Sequence, residues 1–351
     1  MTVYWIGCAA SALLACLCSN TVRGRNNRAA SVFFSALPLI FLSALRYDVG
    51  YDYLPTYVGY FNLVKNNMVN DANRLEWLWH LINKALTLMN ADPMWLFAIA
   101  AVIFFLTVYS EIFRDSPYPA LSIFLLVGMG YLFVSFNAVR QMVGCGILLY
   151  SVRYVEEKKL KQFLLCVLIA GGFHNSCYVF AAVYWLSRVR IKPLLALLLT
   201  AAVVALMGPI TQLIHFIISK TSYSIYIASI FDTGETAYVM LAINFIVLAF
   251  ASVLYRDEPR YRAYYNFQIL ALWITLYSGQ VVLILRMMWA FGLPAIILVP
   301  LGVETLKEKK DRHLVMAVLV VMYFLYTMYT VGIQNSNSVL PYQTVFSRWL
   351  P

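Results

Sequence analysis

Long apolar runs separated by short polar loops recur along the whole chain. Inside lipid, backbone hydrogen bonds must be made within the segment, so each crossing run is expected to be an α-helix of about 20 residues. The pattern predicts helices over 2–18, 29–45, 93–112, 119–136, 139–155, 193–209, 237–255, 263–284, 287–303 and 314–331. The chain is therefore predicted to be an all-α polytopic membrane protein. With no internal repeat and no low-complexity linker, residues 1–351 form a single predicted membrane domain.

The apolar stretch 162–187 needs its own interpretation, because basic residues lie at both of its ends. Lys161 lies just before it and Arg188 just after it. Cytoplasmic loops concentrate Lys and Arg, so a single crossing would put one of these basic ends on the wrong side. A helical hairpin with its apex at 171–176, pointing toward the outer face, resolves the conflict.

Counting both arms of this hairpin gives about 12 helices with both termini outside. Most of the 26 Lys and Arg residues lie in the loops on the predicted inner side. These loops are 19–28, 114–118, 153–161, 188–192, 256–262 and 304–313. The first apolar run has basic residues after it and none before it, the reverse of a cleavable signal peptide. It is predicted to be a first membrane helix. The predicted location is the bacterial inner membrane.

Composition supports this class and excludes others. The chain is 62% hydrophobic and 12% charged, and its mean hydropathy is +0.74, whereas soluble domains carry about 25% charged residues. The positive residues behind the net charge of +10 are spread over short loops. This pattern is typical of charges that orient helices in a membrane and not of a nucleic-acid-binding surface. The six cysteines lie in apolar stretches without metal-ligand spacing.

Two predicted outer segments are longer than turns, 46–92 and 210–236. The first contains two aromatic-rich stretches that are amphipathic at helical spacing, YLPTYVGYFNLVKN and EWLWHLINKALTLM. The second carries a similar set, Ile214, Phe216, Ile217, Tyr223, Ile225 and Tyr226. Both segments are expected to lie in the outer membrane–water interface.

Three arginines do not follow the general concentration of Lys and Arg on the predicted inner side. Arg46, Arg140 and Arg286 each lie at the predicted outer mouth of an apolar segment. An arginine kept at that face needs a reason, and its planar, permanently charged guanidinium suits phosphate or carboxylate. Together they predict a polyanionic ligand near the outer surface. For Arg286 alone, snorkelling to lipid headgroups is an alternative interpretation.

The segment after the second helix combines one cation with two carboxylates. Arg46 is followed by Asp48 and Asp52, with Gly50 allowing a turn between them and Tyr53 as a further binding candidate. Arg46 either pairs with one of the acids or contacts a phosphate. In the second case Asp52 would bind a sugar hydroxyl or act as a base.

Two further short motifs lie at helix ends on the same predicted side. Asn137, Arg140 and Gln141 form a tight turn with more donors than a turn requires, so they are either a structural cap or a ligand site. His174 and Ser176 lie at the hairpin apex, where a histidine is either a hydrogen-bonded core residue or a functional group beside a cavity.

Glu76 and His80, four residues apart on one helical face, are either a local pair or site candidates.

These motifs resemble those of one family. R-Y-x-V-G-x-D-Y from Arg46 to Tyr53, N-x-x-R-Q from Asn137 to Gln141 and F-H-x-S from Phe173 to Ser176, in this order, look like the EpsG family. That family comprises Wzy-like polymerases of bacterial exopolysaccharide and O-antigen synthesis. The resemblance covers most of the chain and is densest between Arg46 and Ser176.

The resemblance implies a GT-C-type membrane glycosyltransferase. It would take oligosaccharide repeat units on undecaprenyl pyrophosphate as donor and acceptor at the outer face, after a separate flippase has delivered them. It implies Arg140 and Arg286 on the pyrophosphate, Arg46 shared between phosphate and Asp52, and His174 or Asp52 as base. Asp48, Tyr53, Glu76, Asn137, Gln141 and Ser176 complete the expected substrate-binding set. Neither a metal nor a cofactor is expected, and a chain-length regulator is a further expected partner.

Three other functions stay open on the sequence alone. They are a transporter or flippase of the same lipid-linked sugar, a ligase that uses the same chemistry on another acceptor, and a non-catalytic subunit of a polysaccharide machine. Carriers usually keep carboxylates in mid-membrane and many contain inverted repeats. Here nearly every acidic residue lies at a helix end or in a loop, which favours the polymerase.

Overall fold

A computed structural model describes residues 1–21, 25–71, 74–220, 224, 236–281 and 284–349 of the chain. Three members of the aromatic set predicted in the second outer segment, Tyr223, Ile225 and Tyr226, lie outside these described residues. Leu283, next to the Arg286 motif, lies outside them as well.

The described residues are helical almost throughout, and the predicted all-α class is confirmed. The α-helices are α1 Thr2–Thr21, α2 Arg25–Ala44, α3 Gly59–Lys65, α4 Trp77–Leu88, α5 Met94–Asp115, α6 Pro119–Gly128, α7 Tyr131–Asn137, α8 Val139–Glu156, α9 Leu160–Phe173, α10 Val183–Leu186, α11 Pro193–Ala205, α12 Met207–Ser219, α13 Tyr238–Val253, α14 Pro259–Leu276, α15 Ile284–Gly292, α16 Ala295–Glu304 and α17 Lys309–Thr327. Two π-helical segments, Tyr53–Val58 and Met328–Ile333, and two 3-10 segments, Asn175–Ala182 and Val345–Trp349, accompany them.

Several helices are long and apolar enough to cross a membrane. Three satisfy both criteria in the described part of the chain, Met94–Asp115, Ile284–Glu304 and Lys309–Ile333. Two bent pairs, α6 with α7 at 52° and α11 with α12 at 70°, raise the number of candidate spans to five if each pair crosses once. Shorter apolar helices lie in α1, α2, α9 and α13. The total of about twelve crossings and the GT-C architecture stay predictions.

Helices α8 and α16 form the centre of the bundle. Most residues of α8 and all but the last of α16 are buried, because both helices are apolar around most of their circumference. Helices α1, α2, α5, α8 and α9 pack in succession, and α14 packs against α13, α15 and α16. This arrangement brings the first residues of α8 and α15 together.

The helical structure is interrupted at the predicted hairpin apex. Helix α9 ends at Phe173, and His174 adopts extended backbone angles, φ −156° and ψ 123°. The segment Asn175–Ala182 then continues as a 3-10 helix that packs back on α9. The second arm is thus mainly 3-10 helix, not the α-helix expected from its apolar composition.

A buried ionic cluster ties α5, α8 and α14 together at the ends of these helices farthest from Arg140. Its charged members on α5 and α8 are Glu111, Arg114, Asp115, Arg153 and Glu156, and Tyr264 of α14 donates to Asp115 at 2.6 Å. Arg153 donates to Glu111 with 2.6 Å between Nε and Oε1, and Arg114 reaches Glu156 at 2.5 Å. The Glu111 side chain is fully buried, so its charge depends on these partners.

Glu111→Ala is expected to lower the melting temperature of the purified protein sharply. The substitution leaves Arg153 without its buried partner, a change that typically costs about 3–5 kcal/mol. Glu157→Ala is the matched control, because the ion pair of Glu157 in the described part of the chain is with Lys159 and both side chains are exposed. Exposed pairs contribute about 0–1 kcal/mol. Unfolding is followed by tryptophan fluorescence in detergent. Equal melting temperatures for the two variants would contradict this role of the cluster.

Candidate active site

Arg140 lies in the first turn of α8 and pairs with Glu76, the residue before α4. Their side chains are 15% and 8% exposed. The buried Nε of Arg140 has no hydrogen-bond partner among the described residues. Glu76 also accepts a hydrogen bond of 3.4 Å from the backbone N–H of Asn175. Arg140 therefore retains donor capacity for an anion after its pairing with Glu76.

His174 lies between two arginines at the hairpin apex. Burial, together with the smaller effects of the charges of Arg140 and Arg286, lowers its pKa to about 3. Its Nδ1 is 2.8 Å from Oγ of Ser176. The imidazole is therefore neutral at physiological pH. Because the two cations cause part of this depression, an anion bound to them would raise the proton affinity of His174.

Gln141 joins α8 to α15. Its Nε2 donates to the backbone oxygen of Arg286 at 2.5 Å and to Oγ of Ser176 at 3.4 Å. Only the main chain of Arg286 is used in this contact, and its side chain is exposed. The structure thus brings Glu76, Arg140, His174 and Arg286 together, and these four residues are called the site cluster below.

Asn137 holds three segments in place beside this cluster. Its Oδ1 accepts from the backbone N–H of Asp52 at 3.4 Å, its Nδ2 donates to Asn337 O at 2.9 Å, and its own carbonyl accepts from Tyr57 Oη at 2.6 Å. Gly50 has φ +99°, and a Cβ there would lie 2.8 Å from Oδ1 of Asn137. Since Asn137 is buried and its polar groups are occupied, the structure gives it a positioning role.

Asp52 lies close to the cluster but is not paired with Arg46. Its carboxylate accepts a hydrogen bond of 3.2 Å from Thr56 Oγ1, and its backbone is held by Asn137. Both Asp52 and Arg140 are near enough to Tyr57 to influence its pKa, although burial is the main reason that this pKa is raised. Asp52 stays a candidate base on geometric grounds.

Arg46 lies behind the site cluster, in an aromatic cage. Its guanidinium carbon is 4.4 Å from the ring centroid of Phe136 and 4.8 Å from that of Phe97, and Nη1 donates to Phe136 O at 3.0 Å. Arg46 is 2% exposed, and Tyr53 is fully buried and stacked on Phe97 at 4.3 Å. In this arrangement both residues support the wall of the site. Their contact with substrate stays a prediction.

The predicted pairing of Arg46 with an acid is absent from the structure. No ion pair joins Arg46 to Asp48 or Asp52, both of which are described. Asp48 is exposed in the turn with φ 50°. The faces of the two phenylalanines attract the cation instead. This competing interaction was not visible in the sequence, because Phe97 and Phe136 come from distant segments.

The sequence analysis missed the C-terminal segment 335–345. It clamps the turn after α2 through main-chain bonds, from Tyr47 N to Gln343 O and from Gly50 N to Ser338 O, both 2.9 Å. An isolated bridge pairs Arg46 with Thr344. The signals for it in the sequence are the polar run of Asn and Ser after α17 and Leu340-Pro-Tyr342, to which the family resemblance extends.

Asn137→Ala is expected to reduce activity by about 10–100-fold, because misplacement of a catalytic segment by about 1 Å has effects of this size. The variant loses both side-chain links of Asn137, those to Asp52 and Asn337. The readout is the initial rate of glycan extension, the activity that the resemblance to the EpsG family implies. Asn62→Ala, an exposed position on α3, is the control and should keep the wild-type rate. A wild-type rate in Asn137→Ala would contradict the positioning role.

An apolar groove of about 650 Å³ ends at the site cluster. Side chains of α11, α12, α14 and α15 line most of it, including Ile214 and Trp273. Its polar end is formed by His174, Ser176 and Arg286. An apolar cavity with charged and polar groups at one end suits an amphiphile with an anionic head. Within the described ranges, no group of three or more His, Cys, Asp and Glu residues is placed to hold a metal ion.

Fold and site define an integral, all-helical membrane protein with an apolar groove that ends at Arg286 and His174, beside Arg140. The chain belongs to the EpsG family, whose family model matches residues 30–344. This family is associated with polysaccharide polymerisation, so the chain is a polymerase-type membrane protein of polysaccharide biosynthesis. No curated protein and no solved structure matches it.

Proposed function

We propose that the protein is a glycosyltransferase that extends a polysaccharide from undecaprenyl pyrophosphate. It transfers the growing glycan from one lipid carrier to the non-reducing end of a repeat unit borne on another, at the outer face of the bacterial inner membrane. The observation that carries this proposal is the junction of the apolar groove with the site cluster. A prenyl chain matches the apolar walls, and a pyrophosphate matches the arginines at the end.

The chemistry needs a stabilised leaving group. The acceptor hydroxyl forms a bond to the anomeric carbon, the bond from that carbon to pyrophosphate breaks, and its electron pair leaves with the phosphate oxygen. Fixed cations in a partly dry site stabilise this developing charge without reorganising. Arg286 is exposed at the end of the groove, and Arg140 keeps a buried donor without a partner among the described residues. Both are therefore assigned to the pyrophosphate.

The proton of the acceptor hydroxyl passes to His174 or Asp52. His174 is neutral and lies between the arginines, where the bound pyrophosphate would raise its low proton affinity. Asp52 carries a carboxylate and is oriented through Asn137. If His174 is the base, it is activated only when the donor is in place, which limits attack by water on an empty site.

A transporter of the same lipid-linked sugar fits the structure less well. Transport by alternating access requires the end opposite the site to open. The ionic cluster of Glu111, Arg114, Asp115, Arg153 and Glu156 ties three helices together there, and opening would expose these buried charges. A ligase would use the same site and differ only in its acceptor.

The proposal is tested with the purified protein and lipid-linked repeat units isolated from the cells that make the polysaccharide. A ladder of products on a gel, spaced by one repeat unit, is the expected result. Units that remain unextended, with the protein folded and monodisperse, would overturn the polymerase assignment.

A further inference from the structure

Two exposed aromatic rings lie on the last turn of α9, beside the site cluster. Trp77 is 47% exposed and Tyr178 is 39% exposed, and Nε1 of Trp77 lies 3.4 Å from Oη of Tyr178. Both rings rest directly on backbone, because a Cβ at Gly172 would meet the Trp77 ring at 2.7 Å and one at Gly171 would overlap the Tyr178 ring. The glycine pair before His174 thus makes room for an aromatic platform.

A carboxylate lies at the edge of this platform. Glu76 directly precedes Trp77, and it bonds both to Arg140 and to the backbone N–H of Asn175. Sites for polar ligands commonly combine apolar or aromatic faces with a few placed polar groups. A hydroxyl of a sugar ring lying on the two aromatic side chains could therefore donate a hydrogen bond to Glu76. Glu76 contacts the backbone of Asn175, the residue after His174.

The platform is separate from the apolar groove. His174, Asn175 and Ser176 line the groove, whereas among the described residues neither Trp77 nor Tyr178 does. Because Glu76 accepts from the N–H of Asn175, the platform lies next to the segment 174–176 that also lines the groove. A polymerase must hold two glycans at once, so it needs an acceptor site beside the groove assigned to the donor.

We propose that Glu76, Trp77 and Tyr178 form the subsite for the acceptor sugar, next to the donor groove at the His174 segment. The inference rests on the proposed polymerase function. The aromatic rings stack on the non-reducing terminal sugar, and Glu76 orients its hydroxyl toward the anomeric carbon of the donor. An aromatic belt that merely anchors helices at the membrane interface is the competing interpretation.

The test uses the full-length protein in phospholipid nanodiscs, with the lipid-linked repeat unit as donor and the same oligosaccharide, freed from its lipid by mild acid, as acceptor. Each substrate is varied in turn while the other is held constant. Trp77→Ala is expected to raise the KM for the lipid-free acceptor at least about tenfold, the size typical of an aromatic anchor. The KM for the donor should stay unchanged. Trp77→Phe should recover most of the acceptor affinity.

Trp95→Ala is the matched control, because Trp95 is 52% exposed at the start of α5. It should keep both KM values. If Trp77→Ala does not accumulate, Tyr178→Ala provides the same comparison. An unchanged acceptor KM in a variant of either ring, with wild-type protein forming its ladder, would overturn the subsite alone. Failure of the wild-type protein to form a ladder would overturn the proposed function, and the subsite with it.

Discussion

Arg140→Gln is expected to reduce the initial rate of glycan extension by about 100- to 1,000-fold, the usual effect of removing one donor from a charge-stabilising site. Gln keeps a polar side chain but removes the cation that we assign to the leaving pyrophosphate. The rate is measured with purified protein at saturating donor, together with protein yield and melting temperature. A wild-type rate in this variant would contradict the assignment.

The pairing of Arg140 with Glu76 complicates this experiment, because the single substitution also leaves a largely buried carboxylate without its partner. The double variant Arg140→Gln, Glu76→Gln removes both charges and so avoids an uncompensated buried charge. If the rate loss reflects the missing cation, the double variant will stay far slower than the Glu76→Gln single variant, even when the melting temperature returns to normal. Recovery of the rate in the double variant would show that the loss came from the unpaired carboxylate of Glu76.

Arg286→Ala is expected to lower kcat/KM for the donor by about 100-fold and to leave the fold intact. The contact of Arg286 with Gln141 uses its backbone oxygen, which alanine retains, while its exposed side chain faces the groove. Charge-assisted contacts to phosphate are worth more than neutral ones, which accounts for the size of the effect. The measurement is the dependence of initial rate on donor concentration.

Lys84→Ala is the control for a general loss of positive charge, since Lys84 is exposed on α4 and lies outside the site cluster. Equal kinetics in the two variants would indicate that Arg286 only snorkels to lipid headgroups.

The level of the site cluster in the membrane was predictable from the sequence. The distribution of Lys and Arg among the loops indicates the side of the membrane on which each helix end lies. Arg140, His174 and Arg286 each lie at one end of an apolar segment, and residues at corresponding ends of antiparallel helices share a level in the membrane. Loop charges alone therefore predicted that the three would lie at the same face. The groove beside them was not predictable, because it depends on the 70° bend between α11 and α12 and on how these helices pack.

Other parts of the site depend on contacts that no local pattern encodes. Arg46 looked equivalent to the other two arginines, yet Phe97 and Phe136 enclose it. Asn137 looked like a substrate ligand, yet its Nδ2 bonds to Asn337, 200 residues away in the chain. In both cases a distant segment competes for the side chain. Sequence periodicity gives no information on such long-range partners.

The second hairpin arm shows a different limit. Its apolar composition predicts a helix but does not distinguish α from 3-10 geometry, and the structure has a 3-10 helix over Asn175–Ala182. Hydrogen bonding of Ser176 N–H to Nδ1 of His174 at 3.4 Å caps the start of this segment. Because side chains on a 3-10 helix repeat every three residues, Ser176 and Val179 both face the groove.

The central claim is that the site cluster receives the pyrophosphate of a lipid carrier and releases it as the glycan grows. The most direct measurement counts free undecaprenyl pyrophosphate against new glycosidic bonds in proteoliposomes supplied with radiolabelled lipid-linked repeat units. One molecule released for each bond formed, with both lost in Arg140→Gln, is the predicted result. Movement of the labelled units across the bilayer without bond formation or carrier release would contradict it.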